Sequence, residues 1–342
     1  MNRRYINPRY VKRADDEGAE LRAKKFELEK GFPLSWVEPT YFGEMPGEYP
    51  KTYVELNGNV VKIRHIQRPV TNMPGKRSEI TELTKKSRKR LLEFLASISW
   101  HKLNPRSINV VTLTYHNDYP EDGQEVKRQF HNFRRDLTNE YPGVIIIWKL
   151  EFQEREAPHF HLIVITEKPE ELGNYMILKN NKLQYFDRDK KEVLKEGTKG
   201  LRYFIQKSWN KHTHESIEHF NSGTEVEEVR SATGLPYYLT KYIAGETKFE
   251  SNQHNVPEWF KNVGRWWGCY NRSALKIKKR RITISSETKD KLIENVKRFW
   301  SDNEMPEYKI HDFGVNMYAL DKMDVQKYIW DTILDNPEKT YN

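Results

Sequence analysis

Residues 144–166 read VIIIWKLEFQEREAPHFHLIVIT. Two apolar runs, 144–153 and 159–166, flank the polar stretch Glu154-Arg155-Glu156-Ala157-Pro158. Apolar runs of this length read as strands. A connection this short leaves no room for a crossover, so the two strands pair antiparallel. Working upstream, INVVTLTYH (108–116) reads as another buried strand. Gly123 to Glu140 reads as an amphipathic helix, with Val126, Phe130, Phe133 and Leu137 on one face. The result is a β–α–β–β run whose last two strands form an antiparallel pair.

Further out, Ile80, Leu83, Ser87, Leu91, Phe94, Leu95 and Ile98 follow a three-four spacing. They predict a helix from about Ser78 to Ile98, with Ser78 able to cap it. Residues 173–198 are polar and read as an inserted hairpin. LRYFIQKSWN (201–210) reads as helix, EVEEVRS (225–231) as strand and LPYYLTKYIAGE (235–246) as helix. NVGRWWGCYNR (262–272) reads as turn and strand, and two tail helices are expected near 287–300 and 322–334. In residues 1–76 proline, glycine and charge recur, and Asn57-Gly58 marks a hairpin within TYVELNGNVVKIRHI. The expected organisation is an N-terminal extension (1–76), a central domain (77–272) and a basic, helical C-terminal extension (273–342).

Composition removes several classes. The 342 residues carry 58 Lys+Arg against 49 Asp+Glu, a formal net charge of +9. One cysteine, Cys269, excludes an intramolecular disulfide and cysteine-rich zinc modules. No apolar run approaches the roughly 20 residues of a membrane span, and the N-terminus has no secretory apolar core. A cytoplasmic protein without a membrane partner is expected. The positive balance makes nucleic acid a plausible partner.

His159-Phe160-His161 opens the second strand. Side chains two apart on a strand share a face, about 6.6 Å apart at the backbone. Both imidazoles therefore point one way and Phe160 the other. Glu151, on the preceding strand, returns beside them across the turn, while Glu154 and Glu156 compete as turn residues. Two imidazoles and a carboxylate suit Mn²⁺, Zn²⁺, or Mg²⁺ with waters retained. A second pair, His212-Thr213-His214, with His219 nearby, lies in polar surroundings and reads as a solvated segment.

Tyr238 and Tyr242 stand four apart in a helical pattern and share a face that Lys241 flanks. A phenol is a poor nucleophile near neutrality, because its pKa is about 10. A nearby ammonium or metal would favour the phenolate. Aromatic residues at this spacing are also common in helix cores, and Tyr237 reads as one.

Taken in order, the strand with Thr112 and Thr114, Glu151 with His159-Phe160-His161, Tyr238-x-x-Lys241-Tyr242 and Gly264-Arg265-Trp266-Trp267-Gly268 resemble the HUH endonuclease superfamily. The resemblance is to its rolling-circle replication initiators from phages and small plasmids, and it spans about residues 78–272. It implies an α+β fold, a central antiparallel sheet with flanking helices in a ferredoxin-like palm, and a divalent ion, Mg²⁺ or Mn²⁺, on Glu151, His159 and His161. It implies attack by Tyr238 on single-stranded DNA at a replication origin, giving a 5′-phosphotyrosine and a 3′-hydroxyl primer. Lys241 would stabilise the phenolate or the phosphate, and Tyr242 would cleave the regenerated origin. The family's two-tyrosine form has a lysine after the second tyrosine where this chain has Gly245, which leaves Tyr242 a second nucleophile or a packing residue. Nicking and rejoining need no ATP, and no phosphate-binding GxxxxGK[ST] loop occurs, so a host helicase and polymerase are the expected partners.

The basic stretches Lys85–Arg90, Lys127-Arg128, Arg134-Arg135 and Lys276–Arg281 are candidates for a DNA path. Trp266 and Trp267 could stack on bases, or one of them fill the core. Other readings are a transposase or relaxase of the same superfamily, a cupin-like metalloenzyme, and a non-catalytic DNA-binding regulator.

Overall fold

The computed structural model describes residues 51–57, 60–66, 82–186, 192–193, 197–213, 216–229, 256–260, 263–277, 279–285, 288–294, 310–311 and 314–318. In chain order its elements begin with β1 (Lys51–Asn57), β2 (Val60–Ile66), α1 (Lys85–Ala96), β3 (Ile108–Thr114) and α2 (Gly123–Glu140). Then come β4 (Ile145–Phe152), β5 (Pro158–Ile165), β6 (Tyr175–Lys179), β7 (Lys182–Phe186) and β8 (Glu192–Val193). They are followed by α3 (Leu201–His212), α4 (Ile217–Ser222), β9 (Thr224–Glu228), β10 (Trp267–Tyr270) and β11 (Lys279–Ile284). The last are β12 (Ile310–His311) and β13 (Gly314–Tyr318). Two compact units result, residues 76–277 and a second made of 1–75 with 278–342.

The architecture is α+β. In the unit 76–277 a five-stranded sheet runs β10-β4-β5-β3-β9, and every neighbouring pair is antiparallel. Alternation gives the sheet two different faces. On one, Val111, Leu113, Leu150, Phe160 and Leu162 pack against α2 and α3 through Phe130, Phe133, Ile205 and Trp209. Phe160, sent away from the two histidines by the pleat, stacks on Phe130 with ring centroids 4.4 Å apart. On the other face, Ile145, Ile147, Ile163 and Ile165 are covered by Leu91, Phe94, Leu95 and Ile98. That apolar cover reaches only the end of the sheet where β4 begins. At the opposite end the same face carries polar residues.

Helix α2 starts at Gly123, where Asp122 caps the amide of Gln124. Within the described residues α1 starts at Lys85, and Thr84 caps it through the amide of Ser87. Ser78, the cap expected from sequence, lies outside them. The hairpin β6–β7 turns on Asn180 and Asn181, both at positive φ, a conformation asparagine tolerates. The helix read at 235–246 and the tail helix read at 322–334 lie outside the described residues.

In the other unit β1 and β2 pair antiparallel with Asn57 opposite Val60. They join strands far along the chain in the order β11-β1-β2-β13-β12. Val54, Ile63, Ile282 and Ile284 are buried there. Arg281, read from sequence as a phosphate contact, instead bonds Glu55 at 2.7 Å. Among the described residues, no helix is long and apolar enough to cross a membrane.

Candidate metal centre

The polar end of the sheet is assembled by strand register. Glu151 on β4 stands opposite His159 on β5, and Lys149 opposite His161. On the other side of β5, Thr114 of β3 faces His159 and Thr112 faces His161. Period-2 alternation puts all six side chains on one face. The turn holds the register: Gln153 N–H donates to the Ala157 carbonyl, and Glu156 sits at positive φ.

Ligand atoms of Glu151, His159 and His161 all lie within 4.8 Å of one another. Nε2 of His161 is 2.6 Å from Oε1 of Glu151. The other carboxylate oxygen, Oε2, accepts from the Lys149 ammonium at 2.7 Å. The two imidazole centroids are 4.6 Å apart, edge to face. Oγ1 of Thr114 lies 2.8 Å from Nδ1 of His159. The tautomer that donates Nδ1–H to this hydroxyl leaves the Nε2 lone pair free for a cation. Nδ1 of His161 is buried without a partner.

Electrostatics prepare these groups as ligands. Burial resists charge on Glu151, but the His161 and Lys149 bonds overcome it and hold the carboxyl well below the usual range. Burial, aided by His161, pulls His159 down to about 3, so its imidazole is neutral near pH 7. The Glu151 carboxylate and the neutral imidazole of His159 need shed no proton to bind a cation. The donor set, two imidazoles and a carboxylate with ligand atoms this close, fits a divalent ion, which Glu151, His159 and His161 would hold.

Glu154 and Glu156, the competing carboxylates, are exposed on the turn and outside the cluster. The second histidine group departs from its solvated reading. His212 bonds Asp136 at 2.7 Å, linking α3 to α2. His219 is buried, with Nδ1 3.0 Å from the Thr213 hydroxyl. Both are held by the fold, and His214 lies outside the described residues. Tyr238, Lys241 and Tyr242 also lie outside them.

The tryptophan pair divides. Trp266 is buried against Phe152 and Phe260, so its ring is closed to a base. Trp267 packs on Phe94 at 6.0 Å, and its Nε1 donates to the Ser87 hydroxyl at 3.0 Å. Lys127 is likewise committed to the fold: its ammonium donates to the Arg265 carbonyl and lies 4.6 Å from the Trp148 ring centre. Lys86, Lys89 and Arg90 on α1 are exposed, as is Arg135. Two residues of the centre were not singled out as site residues from sequence, Lys149 and Gln153, whose side-chain nitrogen lies 3.4 Å from Nδ1 of His159. The signal for Lys149 was its place two residues before Glu151 inside an apolar strand.

Fold and site together define an α+β domain that could hold a metal ion on Glu151, His159 and His161 at the polar end of its sheet. Residues 109–247 match the family described as Replication-associated protein ORF2. The match spans the metal-centre residues Glu151, His159 and His161 and, in sequence, Tyr238, Lys241 and Tyr242. No curated protein and no solved structure gives a match.

Proposed function

We propose that the chain is a rolling-circle replication initiator of the HUH type, nicking and joining single-stranded DNA at an origin. The observation that carries this reading is the convergence of Glu151, His159 and His161 on one point, within a segment matching a replication-associated family. A divalent ion held there, Mg²⁺ or Mn²⁺, would supply positive charge to the non-bridging oxygens of the scissile phosphate.

The chain's own residues do the rest. Thr114 orients His159, and Glu151 contributes the negative charge of the ligand set. Tyr238 attacks phosphorus through its phenol oxygen. The P–O3′ bond breaks, the proton passes to the departing 3′-oxygen, and a 5′-phosphotyrosine remains. One phosphodiester replaces another, so no nucleotide hydrolysis is required. Lys241 stabilises the phenolate, and Tyr242 repeats the cleavage on the regenerated origin to release a closed circle. The free 3′-hydroxyl primes a host polymerase, with a host helicase opening the duplex.

The test uses single-stranded oligonucleotides covering the parent replicon, with Mn²⁺, Mg²⁺ or EDTA. A metal-dependent covalent adduct mapping to Tyr238, and lost in Tyr238→Phe, is the expected result. Full adduct formation by Tyr238→Phe would remove Tyr238 as the first nucleophile. Binding without any adduct, in each metal and with the origin present, would favour the regulator reading.

A further inference from the structure

Lys149 is an unusual residue for an internal strand. It lies in IIIWKLEF between Trp148 and Leu150, and register sets it opposite His161 on one side and Trp267 on the other. Its side chain is only 5% exposed. A buried ammonium is costly unless paired. Its pairing is with Oε2 of Glu151, at 2.7 Å.

Consider the charge at this end of the sheet. Among the described residues Glu151 is the only anion in the cluster, and Lys149 already balances it. His159 and His161 add no negative charge as neutral ligands. Arg155, on the β4–β5 turn, donates to the carbonyls of Tyr115 and Asn117 and brings a further cation near His159. The other acidic side chain in the same row is Glu225, opposite Thr112 on β9. It is two strands from His161 and exposed, where solvent screens it. A divalent ion would therefore enter a site whose carboxylate is already neutralised, leaving about two uncompensated positive charges in a partly buried place. Lys149 stands between His161 and Trp267 in the register, and Glu151 keeps 26% of its side chain exposed, so an anion arriving from solvent relieves the imbalance. A phosphodiester brings that anion.

We infer that Lys149 couples the two ligands of this centre, keeping divalent-ion affinity low in the free protein and raising it when a DNA phosphate is present. The inference rests on the metal-site reading above and adds a residue and a regulatory property to it. Linkage makes the coupling reciprocal: the ion must strengthen phosphate binding by the same factor.

The experiment is a Mn²⁺ titration followed by the electron paramagnetic resonance signal of free Mn²⁺. It uses the full chain carrying Tyr238→Phe, so that DNA stays intact, with and without a short mixed-sequence single-stranded oligodeoxynucleotide, after subtracting binding by the oligonucleotide alone. With Lys149 present, DNA is expected to tighten Mn²⁺ binding about tenfold or more. Lys149→Gln keeps an N–H donor and removes the charge. It should bind Mn²⁺ more tightly without DNA, and the gain from DNA should be smaller than in the lysine protein, the direct attraction between ion and phosphate remaining. Lys149→Arg should retain the coupling. Mn²⁺ affinity indifferent to the oligonucleotide in the lysine protein overturns the inference without any Lys149 variant having to fold. Equal or weaker Mn²⁺ binding by a folded Lys149→Gln overturns it too. Absence of Mn²⁺ binding to the lysine protein with and without DNA would instead sink the metal-site reading, and the inference with it.

Discussion

Thr114 and His159 face each other across neighbouring strands, the threonine hydroxyl 2.8 Å from Nδ1 of the imidazole. The contact fixes the ring and, with Nδ1–H as donor, selects the tautomer whose Nε2 can bind a cation. Such supporting bonds commonly contribute tenfold or more to metal affinity. Thr114→Val keeps the shape and deletes the oxygen. Mn²⁺ binding in the presence of single-stranded DNA should weaken about tenfold. Stability of the metal-free protein, from urea unfolding, should fall by only about 1 kcal/mol. Unchanged Mn²⁺ affinity would detach Thr114 from the centre.

The Lys149–Glu151 pair makes the carboxylate a structural residue as well as a candidate ligand. Removing Glu151 leaves a buried ammonium without its partner, a change that costs about 3–5 kcal/mol in buried pairs. Glu151→Ala should therefore lower urea stability far more than His159→Ala, even in EDTA. The double variant Lys149→Met/Glu151→Leu should recover most of the loss while binding no metal. If Glu151→Ala proved as stable as His159→Ala, the pair would carry little of the fold's energy.

Lys127 gives a pH signature away from the centre. Burial lowers its ammonium to about 7, whereas an unfolded lysine keeps its proton to about 10.4. Between those values the unfolded chain binds the extra proton, so stability rises as pH rises through the window. Below about pH 7 the folded lysine is charged as well, and the slope vanishes. Lys127→Met should flatten the rise. Unfolding free energies at pH 7 and pH 9 should differ between the two proteins by up to about 2 kcal/mol, with the wild type gaining more. Parallel pH profiles would show that the Arg265 carbonyl and the Trp148 ring keep Lys127 at its ordinary value.

Much of the centre was legible because its geometry is local. Strand alternation and a five-residue turn place Glu151 beside His159 and His161, and both rules act within residues 144–166. Phe160 followed from the same rule, since whatever separates two residues on one face must enter the opposite layer. Lys149 obeys that rule as well, yet a lysine in a strand is ordinarily taken for a solvated residue, and only the packing of Trp267 beside it explains its burial. His212 and His219 misled for the opposite reason: their polar neighbours in sequence are not their neighbours in space, and Asp136 comes from a helix more than 70 residues earlier. Register between β1 and β11 joins residues over 200 positions apart, and no local pattern encodes that pairing.

Gly268 sets how closely β10 approaches β4. It lies opposite Trp148 in the β10–β4 register. A Cβ there would come within 2.9 Å of the Trp148 indole nitrogen and 3.1 Å of two ring carbons. The ring has little room to retreat, since Phe130 packs on it at 5.2 Å and Lys127 at 4.6 Å. Gly268→Ala should therefore push β10 away from β4 and cost about 1–3 kcal/mol, the usual range for overpacking. Trp267, the preceding residue, holds Ser87 of α1 through its indole N–H, so the displacement should reach the helix that covers the sheet. Hydrogen exchange on α1 should rise in the variant, with urea stability reduced. An alanine protein of wild-type stability, with α1 equally protected, would mean that the Trp148 ring moves freely and that β10 does not clamp the helix.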